Sequence, residues 1–195
     1  MMLTTENTVN WLTSFGEKVI ENKAYLSELD SLIGDGDHGS NMARGVQAML
    51  EKFQSTEFKE PNDVFKTTAM ALLSKIGGAS GPLYGSAFME MAKQSETGDI
   101  SVIISAGLDG IKKRGRAEPG EKTMIDVWVP VCEALQENQL TKQVIDEAVQ
   151  ATKPMKATKG RASYVGDRSI GEIDPGAMSS AYLFEALLEG DILND

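Results

Sequence analysis

Apolar residues recur along the chain at the three- and four-residue spacing of amphipathic helices. Val9, Leu12, Phe15, Val19 and Ile20 fall on one face of a first predicted helix, and the pattern resumes at Asn41. Six more helices are predicted, over Pro61–Ile76, from Gly81 through Met91, over Ile100–Lys113, over Thr123–Gln136 with an interruption or kink near Pro130, over Thr141–Thr152, and from Asp174 through Leu188. The pattern therefore predicts about eight helices.

No segment alternates apolar and polar residues convincingly, and Val102–Ile104 is the only plausible strand. We predict one all-α domain. In an antiparallel bundle every second connection lies at the same end. The glycine-rich or polar connections at residues 34–39, 77–81, 115–120 and 160–171 follow alternate helices, and the last leads into Asp174–Pro175–Gly176. These loops are therefore expected to share one rim, which marks the functional end.

The overall charge narrows the choice of partners. The composition, 41% hydrophobic and 25% charged, is that of a soluble globular protein, but the formal net charge is −10. An acidic surface repels phosphate backbones and anionic lipids, so nucleic acid and membranes are poor candidate partners. The start has no signal peptide, no apolar run approaches a membrane span, and the single Cys132 excludes an intrachain disulfide. We expect a soluble, cytoplasmic protein.

Three carboxylates, Asp30, Asp35 and Asp37, crowd into eight positions among glycines. Unpaired carboxylates this close repel one another, and a hard divalent cation such as Mg²⁺ removes that repulsion. An EF-hand is disfavoured because Asn41 stands where a bidentate glutamate is needed. A solvated turn rich in Asp and Gly is the alternative that spacing alone leaves open. His38–Asn41 would form the first turn of the next helix, whose free N–H groups suit a phosphate.

Other loops carry weaker signals. Gly77–Gly81 exposes backbone donors before a helix, but it is neither a P-loop nor a dinucleotide fingerprint, and taken alone such a glycine-rich helix start is more often just a tight turn. Lys112–Arg116 is the densest basic run, at a helix end where cations also favour the dipole. Arg161, in Gly160–Tyr164, has no evident structural task and can donate two hydrogen bonds to a phosphate.

Taken in order, these segments resemble the L subunit of dihydroxyacetone kinase (DhaL). The resemblance covers essentially the whole chain and rests on Gly34–Gly39, Gly77–Pro82, Gly115–Met124, Gly160–Tyr164 and Asp174–Ala177. It implies a single DhaL-type nucleotide-binding domain over residues 1–195. The implied fold is an eight-helix antiparallel barrel with the nucleotide at one rim, in agreement with the shared loops.

The resemblance also implies the site residues. Asp30, Asp35 and Asp37 would hold Mg²⁺. The residues implied at the phosphates are His38, Gly39, Ser40, Asn41, Ala79 and Ser80. Those implied to line the rest of the nucleotide are Gly115, Met124, Arg161, Asp174, Pro175 and Gly176. Ser40 stands where relatives commonly have asparagine, and either side chain can hydrogen-bond phosphate.

The family's reaction passes a phosphoryl group to dihydroxyacetone, which a histidine of a separate K subunit holds covalently. One branch uses ATP as an ordinary substrate. In the other, ADP stays bound as a coenzyme and is rephosphorylated to ATP by a phosphohistidine of the M subunit, fed by the sugar phosphotransferase system. Many ATP-using forms carry both domains on one long chain, so a chain that stops after the L-type domain favours the phosphotransferase-dependent branch. No catalytic base is expected here, because the acceptor's activating groups would lie on the partner.

A charge count predicts the number of ions. Three carboxylates and ADP together bring about −6, so two Mg²⁺ leave about −2 whereas one leaves about −4. We therefore expect two ions.

Three alternative functions stay open: the L subunit of a two-subunit ATP-dependent kinase, a non-enzymatic helical module that binds a structural cation, and a related domain such as the nucleotide domain of fatty acid kinase.

Overall fold

Helices make up most of the chain in the computed structural model, which describes residues 2–194. Nine α-helices lie in that range: α1 Thr5–Glu21, α2 Lys23–Ile33, α3 His38–Ser55, α4 Pro61–Lys75, α5 Ser80–Gln94, α6 Ile100–Gly115, α7 Ile125–Gln136, α8 Lys142–Ala151 and α9 Pro175–Glu189. Short 3-10 segments cover Ser95–Thr97 and Arg161–Ser169. The all-α prediction is confirmed, and Val102–Ile104 belongs to α6 rather than to a strand.

The helix beyond the predicted eight is α2. The backbone N–H and the Nδ2 group of Asn22 both donate to Lys18 O, at 3.1 and 2.8 Å, which ends α1 there. Asn22 has φ −104° and ψ 15°, outside the helical range, and α2 begins at the next residue. Of the interruption or kink expected near Pro130, the interruption is absent, because α7 runs through that residue.

Eight of the helices form a closed ring. The packing runs from α1 to α3 and then through α4, α5, α6, α7 and α8 in chain order to α9, which returns to α1. The remaining helix, α2, lies against α3 and α9. The ring is the predicted eight-helix barrel, with α2 added beside it.

Aromatic side chains fill the interior of the ring. Trp11 packs edge to face on Phe65 with ring centroids 6.1 Å apart, and Trp128 packs on Phe184 at 5.0 Å. These four side chains are at most 1% exposed, so their apolar surface contributes strongly to stability. None of the helices within residues 2–194 combines the length and the apolar character needed to cross a bilayer.

Candidate functional site

A cavity of about 480 Å³ opens at one end of the ring. All four connections that were predicted to share a rim contribute to its wall, which confirms that prediction. Its lining includes thirteen of the fifteen predicted site residues: Asp30, Asp35, Asp37, His38, Asn41, Ala79, Ser80, Gly115, Met124, Arg161, Asp174, Pro175 and Gly176. What these residues bind stays a prediction.

The other two predicted residues, Gly39 and Ser40, do not line the cavity. Gly39 lies where α3 meets α2, and a Cβ there would come within 1.8 Å of Lys23 O, so helix packing requires glycine. The exposed Ser40 side chain donates from Oγ to Asp37 O at 3.0 Å. The absence of a side chain at Gly39 and the hydroxyl of Ser40 therefore serve the local structure, and the contact of these two residues with a phosphate stays a prediction.

The acidic loop, residues 30–37, brings its three carboxylates together. Asp30, Asp35 and Asp37 each offer one oxygen, and these oxygens lie within 4.8 Å of one another. Asp30 Oδ2 accepts the N–H groups of Asp37 at 2.9 Å and His38 at 3.0 Å, which folds the loop back on the end of α2. Gly36 makes the turn with φ +76°, a conformation that favours glycine. Three carboxylate oxygens at this spacing are a suitable donor set for a hard divalent cation.

The electrostatics of the acidic loop favour a bound cation. Burial raises the pKa of Asp30, and the nearby charge of Asp35 raises it further, although N–H donors from His38 and Asp37 oppose the shift. Within residues 2–194 the one ion pair to this cluster joins Arg161 Nη1 to Asp35 Oδ2 at 2.7 Å. One arginine is too little positive charge for three carboxylates, so the loop has capacity for added cations.

The neighbouring wall is rich in backbone donors. Asn41 is the first residue of α3 whose N–H bonds back to the preceding turn, at Asp37 O, so the N–H groups before it have no helical partner. The connection at residues 77–80 runs beside Asn41, and Gly78 adopts φ +69° before α5 begins at Ser80. Two helix N-termini thus meet beside the acidic loop, where their dipoles favour an anion.

The only histidine of the chain, His38, lies between these two helix starts. Burial lowers the pKa of His38 to about 4, even though Asp37 nearby raises it. The imidazole is therefore neutral at pH 7. Its Nε2 lies 2.9 Å from Ser179 Oγ and its Nδ1 lies 3.4 Å from Ser80 Oγ.

The cavity wall also contains apolar side chains. They belong to Pro82, Leu83, Ile111, Ala117, Met124 and Ile125. The loop between α6 and α7 is held by Asp126, whose two carboxylate oxygens accept the N–H groups of Gly120 at 2.6 Å and Thr123 at 2.8 Å. The cavity therefore combines polar groups that suit phosphates and cations with apolar side chains that suit a flat ring.

Lys122 was missed by the sequence argument. This lysine is 1% exposed and adopts φ +63°. Its Nζ donates to Thr152 O at 2.7 Å, to Met155 O at 3.3 Å and to Glu172 O. Burial lowers the pKa of Lys122, against the charges of Asp174, Glu172 and Asp126. Lys122 therefore joins the loop after α6 to the segment that precedes Arg161–Ser169 and to the segment that follows it.

Asp174 begins α9 as predicted, with Oδ2 accepting the Ala177 N–H at 2.8 Å and proline at the next position. Burial raises the pKa of this carboxyl to about 7, although the Ala177 N–H and the charge of Lys122 oppose the shift. Between about pH 4 and pH 7 the folded state therefore keeps a proton that the unfolded chain releases, and the free energy of unfolding falls as pH rises across that window.

The Asp174→Asn variant tests this assignment, since asparagine retains the helix cap without the charge. The unfolding free energy of the natural protein minus that of the variant is expected to fall by about 2–3 kcal/mol between about pH 5 and about pH 7.5, measured by urea titration. The difference is used because the lowered pKa of His38 makes the free energy of unfolding rise with pH over part of the same range in both proteins, and this contribution cancels when one is subtracted from the other. A difference that does not change with pH would contradict the assignment.

The sequence and fold of this chain match known proteins. A family model described as the DAK2 domain matches residues 32–189. The chain is 56% identical over 189 residues to the PTS-dependent dihydroxyacetone kinase, ADP-binding subunit DhaL, of Lactococcus lactis subsp. lactis, covering 96% of this chain and 98% of that protein. It is 41% identical over 204 residues to the PEP-dependent dihydroxyacetone kinase, ADP-binding subunit DhaL, of Escherichia coli, covering 96% and 97%.

Two solved structures have a fold similar to that of this chain. The native dihydroxyacetone kinase of C. freundii matches with a TM-score of 0.76 and 25% identity over 97% of this chain, which spans 35% of that longer chain. The same kinase in complex with AMP-PNP and Mg²⁺ matches with a TM-score of 0.75, 25% identity, 97% coverage of this chain and 34% of that chain. Since the family model covers most of the chain and the relatives match it almost end to end, the chain belongs to the DAK2 domain family.

Proposed function

We propose that this chain is the nucleotide-bearing subunit of a phosphotransferase-system-dependent dihydroxyacetone kinase and holds Mg-ADP as a coenzyme. The observation that carries the proposal is the convergence of three carboxylates at the wall of a cavity that is also lined by apolar side chains. A cavity of about 480 Å³ is within the usual range for small-molecule sites. The relatives with 56% and 41% identity are named as ADP-binding subunits of such kinases, which supports the same reading.

Asp30, Asp35 and Asp37 would hold the metal, because their converging oxygens match the preference of Mg²⁺. Bound there, Mg²⁺ neutralises the charge of the phosphate oxygens. The charge count given above favours two ions. The structure of the C. freundii kinase with AMP-PNP and Mg²⁺ supports the pairing of nucleotide and metal in this fold.

The chain's own residues would orient the nucleotide. The first turns of α3 and α5 supply N–H donors for the diphosphate beside the acidic loop. Arg161, already at the cavity wall, can donate two hydrogen bonds to a phosphate oxygen pair. The apolar side chains of the cavity wall, which include Ile111 and Met124, suit the adenine ring. This arrangement points the terminal phosphate toward the acidic loop.

The chain would bind and position the phosphoryl group without supplying a base. His38 is neutral and is the only histidine, and the pKa of about 4 makes it a poor proton acceptor. Protein partners would therefore supply the remaining groups: an M subunit with a phosphohistidine as donor, and a K subunit that carries dihydroxyacetone as acceptor.

Calorimetric titration tests metal-dependent ADP binding directly. We expect the purified protein to bind ADP in Mg²⁺ and to lose at least about 100-fold in affinity when EDTA is added, because the carboxylates then repel the diphosphate. Mass spectrometry of small molecules released on denaturation separates the branches: retained ADP supports a coenzyme, whereas an empty site that exchanges ATP supports the two-subunit ATP-dependent kinase. ADP affinity that EDTA does not change would contradict the proposal.

A further inference from the structure

The side-chain amide of Asn41, in the cavity wall, is held from behind by Arg44. Arg44 Nη2 donates to Asn41 Oδ1, and Arg44 Nε donates to Lys75 O at 2.9 Å. Lys75 is the last residue of α4, where backbone carbonyls have no helical donor and a cation is favourable. The end of α4 therefore fixes the guanidinium, and the guanidinium fixes one atom of the amide.

Arg44 itself stands outside the cavity. Asn41 and Gly77 line the cavity, whereas Arg44 and Lys75 line a separate groove between α2 and α3. Arg44 is exposed, and within residues 2–194 its guanidinium makes these two hydrogen bonds and no ion pair. From this position Arg44 can influence a ligand in the cavity through Asn41 or through its long-range charge.

The hydrogen-bond inventory fixes which atom of the amide faces Arg44. Arginine has only donors, so the Asn41 atom beside Nη2 is the carbonyl oxygen. Nδ2 has no hydrogen-bond partner among the described residues, yet none of their enclosed polar side-chain atoms is unpaired, so Nδ2 borders open space. The cavity is the open space that Asn41 lines. The amide therefore presents its two N–H donors to the cavity.

The hydrogen bond also prevents the amide from turning over. Gly77 lies beside it, where a Cβ would be 3.4 Å from Oδ1 and 3.6 Å from Nδ2 of Asn41, and glycine has no side chain to hold the amide from that side. A half-turn would place Oδ1 in front of a phosphate oxygen, so that two acceptors would face each other. The same half-turn would place the NH₂ group against Arg44, donor against donor. Arg44 thus favours the orientation that suits an anion.

We propose that Arg44 is a positioning residue for the phosphate-binding wall and that it acts through Asn41. It holds Oδ1 and so keeps the Nδ2 group directed at the anion site before the nucleotide arrives. A group held ready in this way loses little side-chain entropy when the ligand binds. The effect on nucleotide affinity rests on the function proposed above, whereas the effect on the amide of the ligand-free protein does not.

A double-mutant cycle separates this route from a direct one. Arg44→Met removes the guanidinium and keeps the apolar stem, and it is made both in the natural protein and in Asn41→Ala. Asn41→Ala removes the amide, so any contribution of Arg44 that passes through the amide is absent from the second background. The matched control is Lys52→Met, which removes one positive charge from an exposed side chain of the same helix.

Calorimetric titration with ADP in Mg²⁺ is expected to show a loss of about tenfold in affinity in Asn41→Ala, since a hydrogen bond to a charged phosphate is removed. Arg44→Met is expected to lose about fivefold in the natural protein and less than about twofold in Asn41→Ala. Lys52→Met should bind within about twofold of the natural protein, because salt screens a distant exposed charge.

An equal loss from Arg44→Met in both backgrounds would overturn the proposal, because Arg44 would then act on the nucleotide directly or through its charge. Unchanged affinity of Arg44→Met in the otherwise natural protein would overturn it as well.

The amide is also observed without a ligand. Nitrogen-15 relaxation of the Asn41 Nδ2 group, whose signal is the side-chain amide signal that disappears in Asn41→Ala, reports motion on the picosecond-to-nanosecond timescale. We expect a rigid amide in the natural protein and in Lys52→Met, and an order parameter below about 0.6 in Arg44→Met. An order parameter that Arg44→Met does not change would contradict the positioning role. If the natural protein bound no ADP, the proposed function would fail, and these relaxation data would still decide whether Arg44 positions Asn41.

Discussion

Replacing Asp37 with asparagine is expected to weaken Mg-dependent ADP binding by about 100-fold or more. The Asp37 carboxylate is one of three whose oxygens converge within 4.8 Å, and it makes no ion pair or hydrogen bond to the described residues. The substitution therefore removes a metal ligand at little structural cost. Loss of groups that merely support metal ligands costs 10- to 100-fold in affinity, and loss of a ligand should cost at least as much.

The matched control is Asp109→Asn, which removes one exposed carboxylate from α6 outside the cavity lining. Both variants lose the same formal charge, so a general electrostatic effect would appear in both. Calorimetric titration with ADP in Mg²⁺ should show binding in Asp109→Asn close to that of the natural protein. If the two variants bound ADP equally well, the acidic loop would not be the metal site.

The second large effect is expected at Lys122, where methionine keeps the length of the apolar stem of the side chain but removes the ammonium group. The backbone carbonyls of Thr152, Met155 and Glu172 would each lose the hydrogen bond from the ammonium group, and only Thr152 O would keep another donor, the N–H of Met155. We expect the free energy of unfolding to fall by about 3 kcal/mol. For a chain of this size that corresponds to a Tm lower by about 6–12 °C, measured by calorimetry.

Lys66→Met is the control, because Lys66 is exposed on α4 and makes no ion pair within residues 2–194. Its Tm should change by less than about 2 °C, as for surface substitutions generally. Equal Tm values for the two variants would mean that the buried ammonium does not hold the loops together.

The parts of the site that the sequence predicted are those whose residues are close together in the chain. Asp30, Asp35 and Asp37 lie within eight positions, and their crowding alone requires a cation or a solvated turn. The Asp174–Pro175 cap is local for the same reason, since it depends on adjacent residues. The shared rim followed from counting helices, because alternate connections of an antiparallel ring lie at one end.

The parts that were missed depend on contacts between distant segments. Lys122 bonds to carbonyls 30 and 50 positions away, and nothing in its local sequence indicates burial. Arg44 bonds to the carbonyl of Lys75, 31 positions away, and this contact is evident only when α3 is packed against α4. Such pairings are set by the tertiary fold, which periodicity does not specify.

For α2, by contrast, the sequence did contain a helical pattern. Leu26, Leu29 and Ile33 recur at helical spacing and are buried. The boundary between α1 and α2 lies at Asn22, and it is not evident from the sequence because this residue is neither glycine nor proline. Gly39 and Ser40 were placed at the phosphates by resemblance, whereas glycine at position 39 is explained by close packing on Lys23.

The most direct test is the anomalous diffraction of crystals grown with ADP and Mn²⁺, which takes the same oxygen ligands as Mg²⁺. The carboxylates of the acidic loop should contact two manganese peaks, and each peak should also contact a phosphate oxygen of ADP. Nucleotide density in the cavity without any peak between Asp30, Asp35 and Asp37 would contradict the account, since an acidic protein would then be holding a diphosphate without the cations that make this possible.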